Sequence, residues 1–267
     1  MAHVPLKWSD VPEAVRVHRP NGGSDLVILC EHASHFIPKE LNHLGLAEAD
    51  RQKHIAWDRG ALNVSLGLSE VFDAPVVAAT VSRLVFDCNR DVAARDAVVT
   101  RSEDIEIPGN RGLSAAEIAA RAAALHAPFH QAADQLLSKR KQPIVVTMHS
   151  FTPVFHGQQR HVQLGLLADQ DERLARAMLP LAPALTPWVV ALNEPYHPKD
   201  GMTYSARAHA LPRGALHVMF EVRNDLISTR GGVAQAVRVL AALLTKASAA
   251  CGQALQPVVP TAGVSRL

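Results

Sequence analysis

Aromatic residues are scarce in this chain. Phe, Trp and Tyr make up 4% of its 267 residues, so any buried core must be built from Val, Leu, Ala and Ile, which dominate a hydrophobic share of 48%. That share over this length supports one large core or at most two smaller ones. Cysteine is nearly absent: Cys30, Cys88 and Cys251 cannot all pair and show no CxxC spacing, which removes a disulfide framework. Cys30 and Cys88 lie in apolar stretches and read as buried thiols. An excess of one charge is lacking too. The formal net charge is +2, and the basic run Lys139-Arg140-Lys141 suits a helix C-terminus, so nucleic-acid binding has no electrostatic footprint. The start of the chain lacks a basic segment followed by an apolar core. No apolar run approaches the ~20 residues of a membrane span. A reduced cytoplasm is the expected location, and neither nucleic acid nor membrane is an expected partner.

What the sequence does contain is a series of short apolar runs that stop at polar clusters. Leu26-Val27-Ile28-Leu29 ends abruptly at Cys30-Glu31-His32, the signature of a buried strand in an α/β sheet. Further strands are expected at Pro75–Thr80, Pro143–Thr147, Val162–Leu167, Trp188–Leu192 and Leu216–Phe220, and Leu84–Asp87 is a shorter apolar run. Helical spacing marks 61–72, 171–179 and 233–249. Ser114-Ala115-Ala116-Glu117 is a capping box opening a long Ala-rich helix to about Lys139. Residues 1–25 read as an irregular arm and 251–267 as a frayed tail. Alternating strands and helices give an α/β fold: three layers, with a mostly parallel mixed sheet between helices. No repeat or linker divides the chain, so a single domain over 1–267 is expected.

In such sheets ligands bind beyond the carboxyl ends of the strands. The clusters there are Glu31-His32, Asp87-Cys88-Asn89-Arg90, His149-Ser150, Asn193-Glu194 and Glu221-Val222-Arg223. Two histidines and a carboxylate form a common catalytic zinc set, a free Glu serves as base, and arginines clamp anions. Each residue also has a plainer role open to it. Asp58 suits an N-cap for the helix near Gly60, Glu221 an ion pair with Arg223, and Arg90 a salt bridge to Asp87 or Asp91. His126 and His130, four apart on the long helix, read as structural because Pro128 intervenes and no carboxylate accompanies them. Neither Ser34 nor Ser150 sits in a GxSxG elbow, which argues against serine chemistry.

CEHASHFIP, WDRGA, SRLVFDCNRD, MHSFTP, LNEPY with DGMTY, and FEVRNDL together resemble the N-formylglutamate amidohydrolase family, over about residues 26–226. That family is similar in fold to the zinc carboxypeptidases (phosphorylase/hydrolase-like). The resemblance implies a Zn2+-dependent hydrolysis of N-formyl-L-glutamate to formate and glutamate, in histidine breakdown or another pathway. It implies His149 as a metal ligand, Asn89 and Arg90 as a substrate clamp and Glu221 as the catalytic glutamate. One motif departs from the carboxypeptidase pattern. The HxxE unit that supplies a His and a Glu ligand there is His32-Ala33-Ser34-His35 here. The third ligand beside His32 and His149 is expected to be Asp58, with Glu31 or His35 as alternatives.

The expected machinery follows. His32, Asp58 and His149 hold zinc, and Glu221 and Arg90 are catalytic. Arg83, Asn89, Arg90, Asn193 and Arg223 bind a small anionic substrate, and Tyr204 closes over it. Two competing functions are a carboxypeptidase-like peptidase or amidase on peptide or cell-wall fragments, and a non-catalytic binding protein retaining the fold.

Overall fold

The computed structural model describes residues 13–258 apart from 198 and 200. Asp200 of the DGMTY motif, residues 1–12 of the arm and residues 259–267 of the tail therefore lie outside the described residues.

Seven strands form the central sheet: β1 Val15–His18, β2 Leu26–Cys30, β3 Val76–Ala79, β4 Ile144–Phe151, β5 Leu164–Leu167, β6 Val190–Leu192 and β7 Leu216–Arg223. Their order across the sheet is β1-β3-β2-β4-β7-β5-β6. β3, β2, β4 and β7 run parallel, β1 is antiparallel at one edge, and β5 and β6 run together but antiparallel to β7. The α/β, mostly parallel mixed sheet is thus as expected. The short apolar run Leu84–Asp87 lies in a turn and loop. Two expectations are corrected. The arm before residue 25 contains edge strand β1. β4 and β7 run past their expected ends, because they pair residue by residue from Leu216↔Ile144 to Arg223↔Phe151.

Every residue of β2 and β4 is buried, because helices cover both faces. On one face Leu26, Ile28, Val146, Met148, Val218 and Phe220 pack against α1 (Ala61–Phe72), α4 (Arg173–Met178) and α6 (Arg230–Ala250). α6 is long and apolar enough to cross a membrane by length and composition, yet it packs in this core. On the other face Val27, Leu29 and Val145 meet the long helix expected after Ser114, which has its capping box. That helix consists of α2 (Ala115–Arg121), one π turn (Ala122–His126) and α3 (Ala127–Leu137). A short helix, α5 (Tyr204–His209), lies on the same side against β4. Burying each branched side chain is worth roughly 1.5–3 kcal/mol. A one-residue slip of β4 would exchange its two faces and turn the His149 imidazole into the apolar layer of Val146 and Met148. The core therefore holds the register that aims the rim.

His126 and His130 are structural, as expected. Their Nε2 atoms bond the carbonyls of Arg90 (3.1 Å) and Cys88 (2.9 Å), fastening the loop after β3 to the helix. A carbonyl only accepts, so each Nε2 carries the proton. Burial, with the His126 and His209 imidazoles adding to it, pushes the His130 pKa down to about 4.

Two stability predictions follow from this packing. A Cβ at Gly165 would stand 2.1 Å from the Glu194 carbonyl oxygen, because the chain after β6 folds back across β5. Gly165→Ala is expected to lower stability by about 1–3 kcal/mol, as overpacking does, seen as a shifted urea midpoint with unchanged slope; an unshifted midpoint would refute the close approach. His130 stays neutral in the fold, whereas an unfolded histidine takes a proton below about 6.5. Its stabilisation is full above that pH and lost as pH falls toward 4. His130→Gln should lose less stability than wild type between pH 7 and 4; equal losses would contradict the buried neutral ring.

Candidate active site

β2, β4 and β7 end on one rim. β2 delivers Glu31 and His32 at its carboxyl end. His149 and Glu221 sit inside the last turns of β4 and β7, directly opposite each other in the parallel register. Asp58 reaches the same point from the loop before α1. Its backbone N–H donates to the His32 carbonyl (2.9 Å), and Gly60 follows at φ +83°, where a Cβ would strike the Ile227 carbonyl at 2.7 Å. Glycine therefore allows the tight turn that aims Asp58 at the strands. Ser150 ties strand to loop, its hydroxyl donating to the Arg59 carbonyl (2.8 Å) and its N–H to Asp58 Oδ2 (3.3 Å).

His32, Asp58 and His149 converge at this rim, all buried. Asp58 Oδ2 lies 2.8 Å from His149 Nδ1 and 3.4 Å from His32 Nδ1, and the two Nδ1 atoms are 3.2 Å apart. The far nitrogens each face another buried acid. His32 Nε2 is 2.8 Å from Asp87 Oδ1, and His149 Nε2 is 3.3 Å from Glu31 Oε2. The Asp87 carboxylate bonded to His32 Nε2 fixes that ring's proton there, whereas Glu31 faces His149 Nε2 without hydrogen-bond geometry. Among the protein's own groups, His32 Nδ1 meets Arg83 Nη1 (3.2 Å) and His149 Nδ1 meets Asp58 Oδ2 (2.8 Å), and a bound cation would take the place of these contacts. Donors bound at about 2.0–2.1 Å in tetrahedral geometry stand about 3.3 Å apart, close to what is found. The charges agree: three carboxylates, Glu31, Asp58 and Asp87, face one arginine, Arg83, and against its burial Asp58 and Glu31 hold the His149 pKa well above its usual value, a pull a bound cation would take over. The donor set fits a divalent ion.

Burial would raise the Asp58 pKa, but the His32 and His149 imidazoles hold it far below the usual carboxylate range. Asp87 is likewise held low against its burial, chiefly by Arg83 and His32. Glu221 behaves oppositely. Burial pushes its pKa up to about 8, with His149 pulling it down and Asp58 pushing it up. Its Oε2 is buried without a hydrogen-bond partner among the described residues. A carboxylate next to the donor trio, outside it and free to take a proton, is the arrangement a general base requires.

Beside the trio a cavity of about 300 Å3 is lined by Arg83, Asp87, Arg90, Asp96, Phe155, Tyr196 and neighbours. Arg83 Nη2 donates to Asp87 (2.7 Å), and its Nη1 is 3.2 Å from His32 Nδ1. Arg90 donates from Nε to Asp96 (2.6 Å) and from Nη1 to the Asn89 carbonyl (3.1 Å), with Nη2 against Met202 Sδ.

The other expected site residues are engaged elsewhere. Asn89 spends its amide on the Met202 carbonyl and the Ser205 N–H. Asn193 follows a strand antiparallel to β7, so β6 carries it toward the opposite rim, where its Oδ1 accepts from Ala168 N–H (2.9 Å). Tyr204 stacks beside His126 and His130 at 5.5 and 5.3 Å and is not brought to the trio. Arg223 pairs with Asp225 (2.8 Å) and donates to the Arg160 carbonyl. Of the alternatives to Asp58, Glu31 lies behind His149, and His35 packs on the Trp57 ring. Sequence reasoning missed Asp87 as the anchor of His32, although it stands beside the Asn89-Arg90 pair. It also missed Tyr196, which the LNEPY motif contains, and Arg160, which no local pattern marks.

The profile of the N-formylglutamate amidohydrolase family matches residues 24–228. A crystal structure of a gene product from Agrobacterium tumefaciens shares 43% sequence identity, with a TM-score of 0.88 over 91% of this chain and 97% of that one. The crystal structure of an N-formylglutamate amidohydrolase from Ralstonia eutropha JMP134 is similar in fold, with 18% identity and a TM-score of 0.67 over 87% of this chain and 96% of that one. No curated protein is detectably similar in sequence. With more than half of its length matched by the profile, the chain belongs to the N-formylglutamate amidohydrolase family.

Proposed function

We propose that this protein is a zinc-dependent amidohydrolase that cleaves the acyl amide of an N-acylated acidic amino acid, with N-formyl-L-glutamate as the leading substrate. Water adds to the formyl carbon, the carbon–nitrogen bond breaks, and formate and L-glutamate leave. The observation that carries the reading is the juxtaposition of the His32, Asp58 and His149 donor atoms with the unliganded carboxylate of Glu221.

His32 and His149 through Nδ1, with Asp58 through Oδ2, are the residues that would hold the ion. When bound, zinc at such a site lowers the pKa of a water toward ~7 and polarises a carbonyl. Glu221 takes a proton from the attacking water and passes it to the departing amine. A divalent charge beside Glu221 favours its anionic form, bringing its raised pKa down toward neutrality. Arg83, held by Asp87 against the trio, is placed to stabilise negative charge developing on the formyl oxygen, a role worth about 2.7–4 kcal/mol per donor in other enzymes. Arg90 forms the cavity wall on the same side. The cavity's small volume suits an amino-acid derivative better than the open groove of a peptidase.

Purified protein should contain zinc and release formate from N-formyl-L-glutamate, and a chelator should abolish the release. Glu221→Gln should lower kcat by about 10²–10⁴-fold with zinc content intact, and His149→Ala should lose both metal and turnover. Full activity in Glu221→Gln would remove it as the base, and activity unaffected by metal removal would end the zinc reading. Asp87→Asn and Glu31→Gln should each weaken zinc binding about 10–100-fold, read by competition with a metallochromic chelator. Unchanged affinity in both would show that these acids do not orient the imidazoles.

A further inference from the structure

The charge pattern at this rim separates one arginine from the others. Arg83 is neutralised by Asp87 at 2.7 Å, with Asp58 at 3.8 Å; Arg90 is neutralised by Asp96 at 2.6 Å; Arg223 is neutralised by Asp225 at 2.8 Å. Arg160 has no carboxylate within ion-pair distance among the described residues. Its partners are neutral: Nη1 donates to the Tyr196 hydroxyl at 3.0 Å and approaches the Thr152 carbonyl at 3.5 Å. Its guanidinium is enclosed by three aromatic rings, lying 4.5 Å from the Phe155 centroid, 4.9 Å from Tyr196 and 5.3 Å from Phe151. In a chain with so few aromatics, three rings on one cation is a concentrated use of them.

The backbone beneath this cation is fixed as well. Arg160 closes the turn beyond β4 by donating its N–H to the Pro153 carbonyl (2.8 Å), and its own carbonyl accepts from Arg223 Nη1 (3.1 Å). The guanidinium is therefore held in place before any ligand arrives, which cuts the ordering cost of binding. Tyr196 is held too, its ring 6.4 Å from Phe151. Because the Tyr196 oxygen accepts from Arg160, its own proton is free to be donated. Burial, with the negative charge of Glu221 adding to it, pushes that phenol up to about 12, so the proton stays in place at neutral pH.

We propose that Arg160 and Tyr196 form the subsite that binds a carboxylate of the substrate. The ligand class rests on the amidohydrolase reading above: an N-acyl dicarboxylic amino acid. A dianion needs positive charge that no protein acid already balances. An anion placed against Arg90 would meet the negative charge of Asp96 and Asp87. One placed against Arg160 gains an uncompensated guanidinium and the Tyr196 O–H together, two donors on neighbouring oxygens of one carboxylate. The subsite adjoins the chemistry, since Tyr196 lines the same cavity as Arg83 and feels the charge of Glu221. This assigns substrate selection to the turn after β4 and to the chain crossing back from β6, rather than to the Asn89-Arg90 pair.

The test compares wild type, Arg160→Gln, Arg160→Lys and Tyr196→Phe, each checked for fold by circular dichroism and for zinc content. Substrates are N-formyl-L-glutamate and its two monoamides, and the binding probe is glutarate, followed by calorimetry. Arg160→Gln should raise KM for the dianion about 10–100-fold with kcat within about threefold, the range expected for losing hydrogen bonds to a charged group. It should also abolish the wild-type preference for acid over amide at one of the two carboxyl positions. Arg160→Lys should recover part of that preference, and Tyr196→Phe should show a smaller loss of the same kind. Glutarate should bind more weakly to Arg160→Gln by at least tenfold. A kcat loss shared equally by the acid and both amides, or unchanged glutarate binding, would overturn the subsite and leave Arg160 a structural residue. If Arg160→Gln does not fold, Tyr196→Phe decides by the same two readouts. Should wild type release no formate from any of the three compounds, the amidohydrolase reading falls by itself. The glutarate titration then still upholds or overturns the carboxylate subsite.

Discussion

Two buried carboxylates turn two imidazoles toward a common point, and the rest of the site depends on it. Asp87 bonds His32 Nε2 and the Glu31 carboxylate lies 3.3 Å from His149 Nε2, while both Nδ1 atoms converge on Asp58. The Asp87 bond fixes the His32 tautomer, and the charge of Glu31 faces the His149 ring from behind. With them, the site carries more negative charge than its own residues balance. That surplus makes a divalent cation its natural complement, while burial keeps Glu221 a poised base rather than a permanently charged one.

The sheet supplies the precision. β4 and β7 pair in parallel over their full length and set His149 beside Glu221. Their neighbour β5 runs the other way, which sends the β6 end to the far rim and obliges the chain to cross back before it can contribute to the site. Gly165 leaves room for that crossing, and Tyr196 arrives by it. The parallel strands thus set His32, His149 and Glu221 at one rim, and loops bring Asp58 and Tyr196 to it.

Much of this was legible in the sequence. The runs LVILC, PIVVT and LHVMF were recognisable as buried strands because each is apolar on both faces and ends at polar residues. That pattern led to His32, His149 and Glu221, and the WDRGA motif to Asp58. What the sequence hides has physical causes. Local pattern ends the strands early because His149 and Glu221 are polar, although their register partners keep them inside the sheet. Asn193 looked like a rim residue because strand direction is invisible in a local pattern. The chain has only two tyrosines, Tyr196 and Tyr204. Tyr204, in the DGMTY motif, lies beside His126 and His130, and nothing local in the sequence shows that the Glu194-Pro195-Tyr196 segment doubles back. Arg160 stands alone in a polar hairpin, and its isolation from acids appears only when distances are known.

The account is tested most directly by locating the metal. Anomalous diffraction from crystals of the zinc-loaded protein should place one peak within bonding distance of His32 Nδ1, His149 Nδ1 and Asp58 Oδ2, with the Glu221 carboxylate outside that sphere. A peak bound through the Nε2 atoms, one that includes Glu221 as a ligand, or none at this rim would contradict it.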